Sequence, residues 1–245
     1  MATFPGGAEA AISLTFDDGL RSQLAVAVPL LQRHGLRGTF YLNPTGDDWR
    51  DRWAPWAEVA TRGHELGNHT LAHPCSENFA FVTPDRALER LTLEALARDI
   101  DTAEERLHGL SGTDRRSFAY PCYQDWVGRG AARRTYVPLV AARFAAGRIR
   151  GERHNLPGRC DLHHLWSWPA ERMSGAEMIG LCEEAASEGG WGIFTFHGVG
   201  EGHLPIGESD LDSLCTHLQR QCERLWTAPV VEVADTLAGL APGTS

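Results

Sequence analysis

No stretch of this 245-residue chain approaches the ~18 consecutive apolar residues that a membrane span needs. The opening residues, MATFPGGAEAA, hold neither a basic segment nor an apolar core. No signal peptide is read there, and the cytoplasm is the expected setting, with secretion the alternative if a leader has been removed. No run of basic residues stands out, and the net charge is −9 with a pI near 5.6, which makes nucleic acid a poor partner. Cys75, Cys122, Cys160, Cys182, Cys215 and Cys222 include no CxxC pair and lack small-domain spacing. They are therefore expected as reduced thiols. Repeats, low-complexity tracts and long linkers are also missing, so residues 1–245 are expected to form one domain.

What the chain does contain is enough apolar material for a core. Hydrophobic residues make up 42% and charged ones 22%, which excludes wholesale disorder. Short β-branched or aromatic runs, at 11–16, 38–42, 64–70, 117–121 and 191–197, alternate with helical patterns. The helices are expected at 23–34, 53–62, 136–146, 174–187 and 210–225, plus a long one opening at Thr83-Pro84-Asp85 and reaching about 107. Such alternation implies parallel βα units, in a single barrel or an open α/β sheet. In either, the C-terminal ends of the strands carry the chemistry.

Polar residues of one kind collect at those ends. The first strand runs into "SLTFDDG", leaving Asp17 and Asp18 side by side, where each raises the cost of ionising the other. After the third short strand comes His69-Thr-Leu-Ala-His73, and an i, i+4 pair on a helical turn would aim both imidazoles at one ion. One carboxylate and two imidazoles make three protein ligands and leave a position open for water or substrate, as catalytic rather than structural zinc sites do. His197 ends the clearest buried strand and can face the same mouth. Taken singly, an Asp-Asp-Gly triplet is ordinarily a turn, a HxxxH pair two surface histidines, and a strand-end histidine a packed one. Their fall at successive strand ends favours one site. A divalent cation there would keep both carboxylates charged near neutrality.

With those residues in view, the chain resembles the NodB-homology polysaccharide deacetylases, also called family 4 carbohydrate esterases. The likeness runs through "TFDDG" (15–19), "GTFYLN" (38–43), "GHELGNHTLAH" (63–73), "FAYPC" (118–122), "FTFHGVG" (194–200) and "APVVEVA" (228–234). TFDDG together with HTxxH is the specific part. The resemblance implies an α/β fold, a distorted (β/α) barrel of about seven strands. It also implies a divalent ion on Asp18, His69 and His73, most of all zinc, with cobalt or nickel the other candidates. Asp17 would be the general base and His197 the general acid, in hydrolysis of an acetyl group from an N- or O-acetylated sugar.

The third motif departs from the family's Arg-Pro-Pro-aromatic-Gly, reading Ala119-Tyr120-Pro121-Cys122-Tyr123, a FAYP-type variant. The arginine that orients the base is missing there, and Arg148 is the expected substitute. The amide of Cys122 is the expected oxyanion donor, beside Tyr123, and Trp166 is the expected wall of a sugar pocket. Trp168, His154 and His203 are weaker candidates for substrate contacts. The remaining readings are an allantoinase-like amide hydrolase and a non-catalytic carbohydrate-binding module on the same barrel. The expected partner is an acetylated sugar or polysaccharide, with no nucleic acid and no membrane; the oligomeric state is left open.

Overall fold

The first strand, β1 (Ala10–Asp17), is buried at all eight positions, as a parallel strand covered on both faces must be. The computed structural model describes residues 4–202 and 204–240. After β1 come β2 (Thr39–Leu42), β3 (Glu65–Asn68), β4 (Phe118–Ala119), the hairpin β5 (Trp126–Val127) and β6 (Arg134–Thr135), β7 (Gly147–Arg150), β8 (Leu165–Pro169), β9 (Trp191–Phe196) and β10 (Leu225–Thr227). The helices are α1 (Val28–Arg33), α2 (Trp49–Trp53), α3 (Pro55–Thr61), α4 (Leu93–Ser111), α5 (Val137–Ala141), α6 (Gly175–Glu188), α7 (Glu208–Arg220) and α8 (Val230–Leu240). Among the described residues no helix is long and apolar enough to cross a membrane.

Strands β1, β2, β3, β4, β7, β8 and β9 run parallel, and β9 pairs with β1 from Ala11↔Trp191 to Phe16↔Phe196. The sheet is thus a closed barrel of seven parallel strands, the distorted (β/α) barrel expected. Its distortion lies beside β1. Residues 15–17 pair with β2, whereas residues 10–12 pair on that side with β10, which wedges the strands apart.

Full burial hides an alternation along β1. Ile12, Leu14 and Phe16 pack outward against a layer that includes Leu31 of α1, Met178 of α6 and Leu214 of α7. Ser13, Thr15 and Asp17 take the other face, and polar residues fill the lumen with them. The Trp191 indole donates to Ser13 Oγ at 3.0 Å, and Ser13 Oγ donates to the Ala228 carbonyl at 2.8 Å. Arg148, fully buried on β7, donates to Thr195 Oγ1 on β9 at 2.9 Å. At the opposite end of the lumen the Glu65 carboxylate accepts from Thr39 Oγ1, the Ser117 amide and hydroxyl, and the Val231 amide. Four donors satisfy it, although burial pushes its pKa up.

Several local expectations shift. The long helix begins not at Thr83 but at Leu93, where the Thr92 hydroxyl caps it by accepting from the Ala95 amide. Residues 84–90 are claimed elsewhere: the Cys75 amide donates to the Arg86 carbonyl and the Leu88 amide to the Cys75 carbonyl, so Ala87 stays extended. The 53–62 helix is two helices divided before Pro55, and the 136–146 helix stops at Ala141. The 210–225 helix ends at Arg220, and Leu225 already belongs to β10. The 174–187 helix holds, with Ser174 and Glu177 forming a reciprocal capping box.

His64 stands just before β3, 5% exposed, with Nδ1 accepting from the Gly38 amide at 3.1 Å. Burial, then Arg37 and Arg62, push its pKa down from 6.5 to about 4. Below pH 6.5 the unfolded chain takes up a proton that folded His64 refuses until about pH 4, so stability falls as pH drops through that window. One such group contributes about 1.4 kcal/mol per pH unit. His64→Gln keeps an acceptor for Gly38 and should flatten the pH dependence of urea unfolding by about that amount. An unaltered slope would show that His64 titrates normally in the fold.

Candidate active site

Three strained loops bring the site together at the C-terminal mouth of the barrel. At the end of β1 the chain turns left-handed, with φ of 75° at Asp18 and 62° at Gly19. A Cβ at Gly19 would lie 2.5 Å from the Trp53 ring, so only glycine fits against that indole. The turn separates the two aspartates. Asp17 points into the lumen, and Asp18 turns toward the loop after β3.

That second loop carries His69 and His73, and it is not the helical turn their spacing suggested. Thr70 and His73 have φ of 64° and 51°, and side chains from three elements hold the loop open. Asn68 Oδ1 accepts from the Thr70 amide at 2.8 Å, and Thr70 Oγ1 from the His73 amide at 3.0 Å. The Asp99 carboxylate, on α4, accepts from the Leu71 amide at 2.8 Å and the Ala72 amide at 3.0 Å. Asn43 donates to the carbonyls of His69 and Thr70. Competition from these local bonds overrides the helix that i, i+4 histidines would prefer.

His69 Nδ1 lies 2.8 Å from the Ala119 carbonyl, which can only accept, so the proton sits on Nδ1. Its Nε2 lone pair then faces Asp18 Oδ1 at 3.6 Å, while His73 Nε2 lies 3.5 Å from the same oxygen. Burial, opposed by Asp17, pushes the His69 pKa down to about 3, and burial lowers His73 as well. Ligand atoms of Asp18, His69 and His73 thus gather within 4.8 Å, two neutral imidazoles and a carboxylate. Converging lone pairs of this kind repel unless a cation lies among them, so the residues fit a divalent metal.

Asp17 is held differently. The Arg148 guanidinium crosses the lumen from β7 to donate to its Oδ1. Burial alone would raise the Asp17 pKa, but Arg148, His69 and His197 hold it below the ordinary value. Arg148 thus reaches Asp17 from β7 rather than from the third motif.

The third loop, Pro121–Tyr123, is a turn with φ of 51° at Cys122 and 56° at Tyr123. Burial pushes the Tyr123 phenol up to about 12, leaving it a neutral hydroxyl. Here an expectation fails. Cys122 is not a reduced thiol but is bonded to Cys75 across 47 residues, and the other four cysteines are free. Sequence spacing gave no sign of this bond, because it joins loops that meet only when the barrel closes.

Asp17, Asp18, His69, His73, Cys122, Tyr123 and His197 all line one cavity of about 870 Å³. Trp166 does not join them: 43% exposed, it lines a separate groove with His154, Arg159 and His164. Trp166 and Trp168 share the outer face of β8, opposite Ser167, but only Trp168 is covered by the core layer. His203 lies outside the described residues. Residues that the sequence reading overlooked also line the cavity, among them Phe79, Phe81, Arg86 and Arg150. A period-2 reading of β7 would have placed Arg150 beside Arg148.

Comparison with known proteins follows the same lines. The polysaccharide deacetylase family model matches residues 6–126. A chitin deacetylase of Pestalotiopsis sp is 37% identical over 65 residues, covering 25% of this chain and 21% of that protein. The uncharacterized protein YlxY of Bacillus subtilis (strain 168) is 28% identical over 94 residues, covering 38% of this chain and 25% of its own length. The chain thus spans a quarter or less of the curated relatives it matches. In fold, it is similar to a candidate polysaccharide deacetylase of Mycobacterium smegmatis (TM-score 0.68, 14% identity, 98% of this chain and 94% of that one). It is also similar to the peptidoglycan deacetylase PdaC of Bacillus subtilis (TM-score 0.57, 14% identity, 94% and 92% covered). A family pseudoenzyme of Bacillus anthracis shares the fold too (TM-score 0.53, 14% identity, 92% and 66% covered).

The disulfide has a direct check. Alkylation of the denatured, unreduced protein should modify four of the six cysteines, Cys160, Cys182, Cys215 and Cys222, and peptide mapping after reduction should add Cys75 and Cys122. Six thiols modified without reductant would remove the bond.

Proposed function

Residues 6–126 of this chain belong to the polysaccharide deacetylase family, and on that premise we propose that it hydrolyses an acetyl group, N- or O-linked, from a carbohydrate. The observation that carries this reading is the meeting, in one cavity, of the Asp18, His69 and His73 cluster with an arginine-tethered Asp17. Asp18, His69 and His73 would hold a divalent cation, zinc before cobalt or nickel, which when bound would supply Lewis acidity toward the acetyl carbonyl.

The other work falls to the chain's own groups. Asp17, ionised and aimed by Arg148, takes the proton of the attacking water. The Cys122 amide donates to the developing oxyanion, where one such donor is worth about 3 kcal/mol. His197 in its protonated form gives a proton to the departing amine or alcohol. Tyr123, neutral throughout the working range, is a donor to the substrate.

Two other readings weigh less. The pseudoenzyme similar in fold keeps a non-catalytic binding module in view. A module without chemistry, however, would have no need of Asp17, Asp18, His69, His73 and His197 around one cavity. An allantoinase-like hydrolase that works without metal would have no use for the cluster. For the setting, the disulfide favours an oxidising compartment over the cytoplasm expected from the sequence.

Removing one charge at a time separates the two aspartates. Asp18→Asn should lower metal occupancy and recover part of its activity when metal is added. Asp17→Asn should keep its metal and lose ~10²–10⁴-fold in rate with no recovery. Acetate release from acetylated oligosaccharides, measured beside metal content, gives both readouts. Rescue of Asp17→Asn by metal would reverse the two roles, and no acetate from any acetylated sugar would end the reading.

Arg148→Gln tests the tether. Without the guanidinium, burial raises the Asp17 pKa, so the acidic limb of the pH–rate profile should move to higher pH by roughly 1–3 units. A limb that stays in place would show that Arg148 does not govern the base.

A further inference from the structure

The cavity holds far more than an acetyl group, and the part outside the reacting centre has a chemistry of its own. Three large hydrophobic side chains are exposed among the described residues, Phe79, Phe81 and Trp166, and two of them stand at this mouth. Phe79 and Phe81 stack on each other, centroids 5.5 Å apart and planes 28° from parallel, at 42% and 58% exposure. Leaving two aromatic faces in water is costly unless something covers them.

The loop that carries them is fixed. The Ser76 amide donates to Gln124 Oε1 at 2.8 Å, the Glu77 amide to Glu89 Oε2 at 2.9 Å, and the neighbouring Cys75 is bonded to Cys122. The aromatic pair is therefore held half-exposed at the cavity mouth. Stacked in this way, the pair still leaves about half of its ring surface open at the mouth. An open aromatic surface suits the C–H face of a sugar ring, whereas an acyl chain would call for an enclosed slot.

The charge at the mouth points to a second feature of the ligand. Arg150 follows Arg148 by two positions on β7, so the alternation sends both the same way, one to the lumen and the other to the rim. The Arg150 side chain is exposed and, among the described residues, makes no hydrogen bond or ion pair. Arg86, also at the rim, donates instead to the Ala72 carbonyl at 3.4 Å and to Thr83 Oγ1 at 3.2 Å. The acids that line the cavity are Asp17 and Asp18, and both face the reacting centre. In a chain of net charge −9, an unneutralised guanidinium at the mouth selects for anions.

We propose that Phe79, Phe81 and Arg150 form a subsite for an anionic sugar chain, the rings binding a sugar face and Arg150 a carboxylate or phosphate on it. This deepens the deacetylase reading and rests on it, so the test reads binding rather than turnover. Calorimetry compares three acetylated oligosaccharides of equal length: a neutral N-acetylglucosamine oligomer, one alternating with uronic acid, and one carrying phosphate. The wild-type protein should bind at least one anionic oligomer about tenfold or more tightly than the neutral one, with the advantage shrinking as salt rises. The two anionic arms identify which anion it takes. Arg150→Gln should abolish the preference and leave affinity for the neutral oligomer unchanged. Phe79→Ala with Phe81→Ala should weaken all three about tenfold while circular dichroism stays native. Equal wild-type affinity for the neutral and both charged oligomers, binding of none, or a preference that survives Arg150→Gln overturns the proposal. An anionic preference without acetate release upholds the subsite and removes the deacetylase reading instead.

Discussion

A guanidinium that crosses the barrel from β7 to β1 is what lets two carboxylates stand side by side at residues 17 and 18. Asp17 and Arg148 are both almost wholly removed from water, so neither charge is tolerable alone; leaving one unpaired would cost roughly 3–5 kcal/mol. Paired, they do more than cancel. Arg148 is also anchored on Thr195, which is hydrogen-bonded in turn to Ser167, so the ion pair is fixed to β8 and β9 as well as to β1 and β7. The polar lumen follows from this. A barrel that carries a buried ion pair must line its interior with hydroxyls and amides, and it exports its aromatic packing, Phe16 on Phe40 and on Phe196, to the layer under the helices.

Backbone strain marks the same place. Six non-glycine residues among those described have positive φ, and five of them, Asp18, Thr70, His73, Cys122 and Tyr123, lie in the three loops of the site. Each costs of order 1–3 kcal/mol and persists only where its surroundings over-determine it. The surroundings here are identifiable: Asp99, Asn43 and Asn68 for the histidine loop, and the bond to Cys75 for the loop at Cys122. The strain belongs to a geometry set before any substrate arrives.

What could be read from the sequence follows the range of the forces involved. Long buried strands such as β1 and β9 were legible because their apolar runs are local. The two-residue β4 was readable only approximately, since pairing with β3 and β7 rather than propensity makes it a strand. Strands β7 and β8 escaped for a related reason: GRIR and LWSWP carry arginine and proline, and only the closed barrel makes them strands. The gathering of Asp17, Asp18, His69, His73 and His197 around one cavity was legible because strand ends converge at the barrel mouth. The shape of the His69 loop was not, because Asp99 acts on it from 28 residues away. Trp166 was misplaced for want of β8's register, and the Cys75–Cys122 bond for want of any local signal.

The pairing of β1 also governs how the molecule can be divided. Its longest partnership is with β9, whose residues follow it by some 180 positions, and its other flank is completed by β10 near the end of the described chain. The segment that the family model matches, residues 6–126, is thus no self-sufficient module. Cut out, it would present β1 as a bare hydrophobic edge, an invitation to aggregation. It would also lack Arg148, leaving Asp17 without its counter-charge. During synthesis Asp17, Asp18, His69 and His73 emerge well before β9 and β10, which close the wall around them. Until those strands arrive the nascent chain holds these residues on an open, unfinished sheet that is exposed to misassembly.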